Sequence, residues 1–165
     1  MPTTTSPSSQ VVRDAVAPVY EFSTHRRVEF ADTDMARIVH FSRFFDFMEA
    51  AEHEFLRSLL GDGRQVHFEH EGHEIGWPRG RVQCEFHSPA KLGDLLDIRV
   101  RVLRKGSKSL TYRFDLSIEG RRVATGEITA ICCRIGGPKL QAVQIPAELA
   151  SRITEAPPRT DESAS

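Results

Sequence analysis

RVEFADTDMARIVHFSRFFDFMEAAEHEFLRSLLG, residues 27–61, holds the two patterns that decide the architecture. In its second half Phe41, Phe44, Phe45, Met48, Ala51, Phe55, Leu56 and Leu59 recur at steps of three and four, which places them on one stripe of a helix from about Ser42 to Leu60. Gly61 stands where a helix favours a residue free to take positive φ. At about 1.5 Å per residue the helix is roughly 30 Å long, enough to cross a small domain as its central element. Just upstream, Tyr20, Phe22, Val28 and Phe30 occupy even positions, the period of a strand with one buried face, although Thr24 and Arg26 interrupt it.

Downstream of the helix and a polar loop the pattern is all strand. Val82, Cys84 and Phe86 alternate, then Pro89 and Gly93 mark a turn. Leu96, Ile98, Val100 and Val102 form the next strand, GSKS (106–109) turns it, and Leu110, Tyr112, Phe114, Leu116 and Ile118 return. Gly120 and Arg121 lead into a last strand, about Arg122 to Ile135, closed by GGPK. Connections this short make neighbouring strands antiparallel. The run AELASRI after Pro146 suggests a short closing helix. The expected domain covers residues 18–153, between tails at 1–17 and 154–165 whose Ser, Thr, Pro and Ala cannot bury enough apolar surface to order themselves.

Composition bounds the function. The 165 residues carry 22 Lys+Arg against 23 Asp+Glu, a net charge of -1, so there is no cationic surplus for a nucleic acid. No run approaches a membrane span, and no basic residue precedes Arg13 to begin a signal peptide; a soluble, cytoplasmic protein is expected. Cys84, Cys132 and Cys133 form neither a disulfide framework nor a CxxC pair, and are read as free thiols of a reducing compartment.

The strand-to-helix junction is the unusual place. ADTDMARIVHF sets Asp32, Asp34, Arg37 and His40 just ahead of a helix N-terminus, whose unpaired amides near Phe41 and Ser42 can polarise a carbonyl oxygen while an upstream carboxylate attacks it or directs water. An Asp in this place also serves commonly as a cap. Within the helix Glu52 falls close to the middle of the apolar stripe, where a carboxylate must be paired or protonated. The expectation is that the stripe is incompletely covered there, or that an Arg or backbone donors of a dimer partner satisfy it. His67, His70 and His73 in HFEHEGHE have no fourth ligand beside them, and a polar lid is a better reading than a zinc site.

The run at 27–61 resembles the opening of the hotdog-fold acyl-CoA thioesterases of the YbgC and 4-hydroxybenzoyl-CoA thioesterase type, with their DxD pair followed by a long helix bearing a mid-helix acid. The similarity extends through GWP (76–78), FHSPAKLGDLLDIRV (86–100), the GSKSLTY hairpin and GRRVATGEITAICCRI before GGPK. It implies an α+β hotdog fold, an antiparallel sheet wrapped around one long central helix, assembled as a homodimer or a tetramer of two dimers with active sites at the subunit interface. The implied activity is hydrolysis of an acyl-CoA thioester to the free acid and CoA, with no metal or organic cofactor. By the resemblance Asp34 is the catalytic carboxylate, as nucleophile or general base, and the helix amides at Phe41 and Ser42 bind the oxyanion. His40 and Glu49 are secondary contacts, and Lys105, Ser107, Lys108 and Ser109, with Arg104 beside them, meet the CoA phosphates. Arg37 stands where the family has Gly, so a loop requiring positive φ there is expected to differ. The His and Tyr common in one branch are missing, Phe41 and Phe30 being the nearest residues. A non-hydrolytic acyl-CoA or acyl-carrier-protein binding module and a hotdog dehydratase or hydratase are the alternatives.

Overall fold

In the computed structural model, described over residues 17–61 and 67–158, the elements follow the expected order with additions. Strand β1 (Glu21–Arg27) leads through a 3-10 turn at Phe30–Asp32 into helix α1 (Arg43–Leu60). A short hairpin follows, β2 (Phe68–His70) and β3 (His73–Gly76), then β4 (Arg79–Phe86), β5 (Leu95–Lys105), β6 (Ser109–Ile118) and β7 (Arg121–Ile131). β8 (Cys133–Arg134), β9 (Gln141–Ala142) and helix α2 (Ala147–Ala150) complete the chain.

The larger sheet has the order β1-β5-β6-β7-β4, all pairs antiparallel, and the smaller one β2-β3-β8-β9. Alternation along β5 and β6 turns Leu96, Ile98, Val100, Val102, Leu110, Tyr112, Phe114 and Leu116 inward. They meet Phe44, Phe47, Met48, Ala51, Phe55 and Leu56 on the buried stripe of α1. This is the hotdog arrangement, one helix enclosed by an antiparallel sheet. Burying those side chains at about 25 cal/mol per Å² supplies the main stabilisation of the domain. Close approach of α1 depends on Gly126 of β7, where a Cβ would lie 2.1 Å from Met48 Sδ.

Several local expectations change. Phe30 leaves the strand period at the 3-10 turn and is 80% exposed. Phe41 precedes the first turn of α1 instead of joining its stripe, and is 60% exposed. Val82 and Phe86, which alternate along β4, are exposed on this outer strand. The polar loop HFEHEGHE is a hairpin, with Glu71 (φ 50) and Gly72 (φ 73) making the two-residue turn between paired His70 and His73. The last strand breaks at Cys132, which lets Cys133 join the smaller sheet.

The chain does not loosen at the expected domain end, Ile153. Thr154 N–H donates to Val19 O (3.0 Å), Ala156 N–H to Val102 O (2.7 Å), and Glu155 accepts from Lys105 N–H (2.7 Å), so 154–156 are fastened to the domain. Residues 1–16 and 159–165 of the expected tails lie outside the described residues. Among the described residues no helix is long and apolar enough to cross a membrane. Cys84 is half-buried, Cys132 and Cys133 are buried, and all three are free.

Candidate active site

The loop between β1 and α1 is closed by its own backbone. Asp34 N–H donates to Ile38 O (3.0 Å), Arg37 N–H to Asp34 O (2.9 Å) and His40 N–H to Asp32 O (2.9 Å). Val39 N–H reaches Ala90 O at 2.8 Å and ties the loop to the turn before β5. Asp32, almost fully buried, accepts from Glu29 N–H (2.8 Å) and faces Arg43 Nε (3.2 Å), so its role is to hold the loop. Arg37 sits at φ 60, the left-handed conformation that suits Gly, at a cost of about 1 kcal/mol from its Cβ against the backbone, and its side chain is exposed.

Asp34 is half-buried. One of its oxygens accepts Ala36 N–H at 2.7 Å, an Asx turn that aims the carboxylate, and the other has no protein donor among the described residues. It opens into a cleft of about 470 Å³ walled by Val39, Phe41, Phe44, Phe86 and Pro89. At the head of α1 the Phe41 N–H has no backbone acceptor among the described residues. Ser42 turns both its hydroxyl (2.8 Å) and its amide (3.3 Å) to His40 Nδ1, which makes Nδ1 the acceptor and leaves Ser42 N–H less available than that of Phe41. A free carboxylate oxygen, an unpaired amide at a helix N-terminus and an apolar cleft thus share one corner, the elements acyl transfer requires. Larger or similar hollows lie on the outer face of the sheet (about 650 Å³, beside Arg99, Arg101 and Arg113) and between the β2–β3 hairpin and α2 (about 460 Å³). Neither joins a free carboxylate to a helix N-terminus.

The mid-helix acids lie elsewhere. Glu52 is 0% exposed and its carboxylate is met by Arg79 of the same chain, Nη1 at 2.9 Å from Oε1 and Nη2 at 2.9 Å from Oε2. The expected uncovered stripe or partner donor is thus replaced by an intrachain Arg that the sequence did not single out. Burial pushes the Glu52 carboxyl up to about 7 against the pull of Arg79, and burial likewise lowers His53 one residue on. Arg79 Nη2 also donates to Glu49 at 3.1 Å, and Glu49 remains exposed.

The basic hairpin needs a correction. Lys105 Nζ donates to Ala150 O (3.0 Å) and Ile153 O (2.7 Å), closing the carbonyl end of α2, so it is not a free phosphate ligand. Ser109 is half-buried in β6, and its carbonyl accepts Gly106 N–H at 2.8 Å. Arg104, Ser107 and Lys108 keep exposed side chains. The hairpin also stands at the far end of the 11-residue β5, roughly 33 Å from the end that adjoins the Asp34 loop. Trp77 is buried in the core. Phe86 and Pro89, which do line the cleft, belong to FHSPAKLGD, whose spacing gave no hint that it would lie beside Asp34.

The thioesterase-like superfamily model matches residues 28–153, from the loop and α1 through β2–β9 and α2, with β1 just outside it. This chain belongs to that superfamily. A 1,4-dihydroxy-2-naphthoyl-CoA hydrolase of Thermosynechococcus vestitus is 32% identical over 133 residues, 80% of this chain and 88% of the relative. The structure of a gentisyl-coenzyme A thioesterase superposes with a TM-score of 0.65 at 27% identity, over 78% of this chain and 98% of that one. A 1,4-dihydroxy-2-naphthoyl-CoA thioesterase from Synechocystis has a TM-score of 0.68 at 19% identity, over 81% and 95%, and shares the fold. The protein is a thioester hydrolase of the hotdog fold.

Proposed function

We propose that this thioesterase hydrolyses an aromatic acyl-CoA in the Asp34 cleft, giving the free acid and CoA. The observation that carries this reading is the free Asp34 oxygen beside the unpaired Phe41 amide. Asp34 either bonds to the thioester carbon itself or takes a proton from the water that does. In both routes the carbonyl oxygen gains the negative charge and accepts the Phe41 N–H, the C–S bond breaks, and the departing thiolate is protonated. In the nucleophilic route water then cleaves the acyl-Asp34 anhydride. Phe41, Phe44 and Phe86 offer an apolar aromatic wall to an aryl group, and two relatives above 25% identity are named for aromatic acyl-CoA thioesters.

The active unit is a two-fold dimer. β4 is an outer strand, and pairing it antiparallel with its own copy satisfies its open edge and brings the two exposed Val82 side chains together. Its ends, Arg79 and Phe86, are roughly 23 Å apart and exchange places across the two-fold, which sets Glu49 and the Lys108 hairpin of one protomer against the Asp34 cleft of the other. Lys108, Ser107 and Arg104 then meet the CoA phosphates from across the interface, in a reducing cytoplasm where the cysteines stay thiols. A thiol-release assay over short, long and aromatic acyl-CoAs tests the activity, with Asp34→Asn as control. Turnover that is fastest with aryl-CoAs and lost in Asp34→Asn is expected; a folded wild type that releases no thiol overturns the reading. Mixing Asp34→Asn with Glu49→Gln protein restores about a quarter of wild-type activity if the two residues act across a dimer, since half the dimers are mixed and each holds one intact site.

A further inference from the structure

Arg79 belongs to β4, yet its guanidinium leaves the strand to bridge two acids on α1. Nη1 donates to Glu52 (2.9 Å) and to Trp77 O (3.2 Å), while Nη2 lies 2.9 Å from the second Glu52 oxygen and donates to Glu49 at 3.1 Å. The reach depends on a break in the ladder: pairing with β7 shifts between Arg79 and Arg81, so Gly80 is an extra residue, and bulges of this kind re-aim a side chain. A Cβ at Gly80 would lie 2.9 Å from Ile131 Cδ1, so a larger residue there requires the Ile131 side chain to shift.

Stability alone is a poor account of this arrangement. A fully buried carboxylate paired to Arg is commonly no more stable than two apolar residues of the same volume. Around the pair the Trp77 Nε1 and Tyr112 hydroxyl are buried without a hydrogen-bond partner among the described residues, and so is one Glu52 oxygen by hydrogen-bond geometry, despite its 2.9 Å approach to Nη2. What the pair does secure is direction. One edge of the guanidinium is fixed below the surface by Glu52, and the other is left facing outward on Glu49, a long side chain that without it samples many rotamers.

We propose that Arg79 is a positioning residue of the thioesterase site: anchored on buried Glu52, it holds the exposed Glu49 carboxylate in one orientation against the partner's Asp34 cleft. This rests on the dimeric thioesterase reading above. The role assigned to Glu52 is that of anchor, without contact to substrate, and misplacing a positioned group by about an ångström can slow a reaction a hundredfold.

The test uses two sets of variants in the full-length dimer, with the aryl-CoA on which the wild type is most active. Arg79→Met alone leaves a buried acid unpaired and can fail to fold, so Glu52→Met is combined with it to remove both charges together. The double variant is expected to melt within a few degrees of wild type, to lose ten- to a hundredfold in kcat, and to keep KM within about threefold. Adding Glu49→Gln to it is expected to lower kcat no further, since Glu49 is already unheld. Arg79→Lys keeps a cation for Glu52 but cannot fork to both acids, and is expected to fold normally with reduced kcat. A double variant with wild-type kcat, or a Glu49→Gln loss of full size on top of it, overturns the proposal while leaving the thioesterase reading intact. A wild type without thiol release overturns both.

Discussion

Replacing Gly126 by alanine puts a methyl group into the one place where α1 comes down onto the sheet. Gly126 is flanked in the ladder by Cys84 of β4 and Phe114 of β6, and the new Cβ would lie 2.1 Å from Met48 Sδ, 3.0 Å from Met48 Cε and 3.2 Å from Gln83 O. Met48 is 0% exposed, so its flexible side chain has no outlet, and the helix must lift or the strand bend. Overpacking of this severity costs about 3 kcal/mol, at the top of its usual range, and the strand gains back about 1 kcal/mol by losing a glycine. The net, about 2 kcal/mol, corresponds to a fall of roughly 4–8 °C in Tm for a domain of this size. The assay is a thermal melt at fixed protein concentration, since dimerisation makes Tm depend on it. Met48→Ala alone is expected to lose about 3 kcal/mol through its cavity, and the double variant to lose at least 1 kcal/mol less than the sum, because the added methyl occupies part of the hole. Lifting α1 also moves the Phe41 amide relative to Asp34, so kcat drops well below the melting range. Gly126→Ala with an unchanged Tm, or strictly additive losses, would refute the argument that this contact sets the helix-to-sheet distance.

Lys105→Met removes the donor that closes α2 (2.7 and 3.0 Å to Ile153 O and Ala150 O) and should lower stability by about 1–2 kcal/mol in a denaturant titration with KM unchanged. Lys108→Ala should do the reverse, raising KM for acyl-CoA more than it lowers kcat, in steady-state kinetics. Glu52 has a pKa of about 7 when folded against 4.5 when exposed, so the unfolded chain releases this proton first. Its contribution is intact below pH 4.5 and is lost as pH rises from about 4.5 to 7; the Tm difference between wild type and Glu52→Gln should shift against the wild type across that window and level off above it. Arg37→Gly relieves about 1 kcal/mol of strain at φ 60 but adds about 0.4–1 kcal/mol of freedom to the unfolded chain, so stability read by chemical denaturation should rise by no more than about 0.5 kcal/mol.

What could be read in the sequence alone is what short-range chain geometry controls. The spacing of Phe44, Met48, Ala51 and Phe55 implied α1 because a 3.6-residue turn brings those positions together whatever surrounds them, and the alternation in β5 and β6 implied inward faces for the same kind of reason. The closeness of Asp34 to the Phe41 amide was legible too, since only a few residues separate them. Contacts between distant segments were decided by the tertiary structure. Lys105 and Lys108 are equivalent in a charged hairpin until the chain returns 45 residues later and α2 presents its carbonyls to one of them. Phe30 and Val28 share a strand period, but the 3-10 turn rotates one outward, and Phe86 becomes a cleft wall only because the turn after β4 is bonded to the Asp34 loop through Val39 and Ala90. The pairing of Glu52 with Arg79 spans 27 residues and two elements. The burial of Glu52 could be foreseen from its place on the helix, whereas the cation that answers it depended on how the sheet folded across that helix.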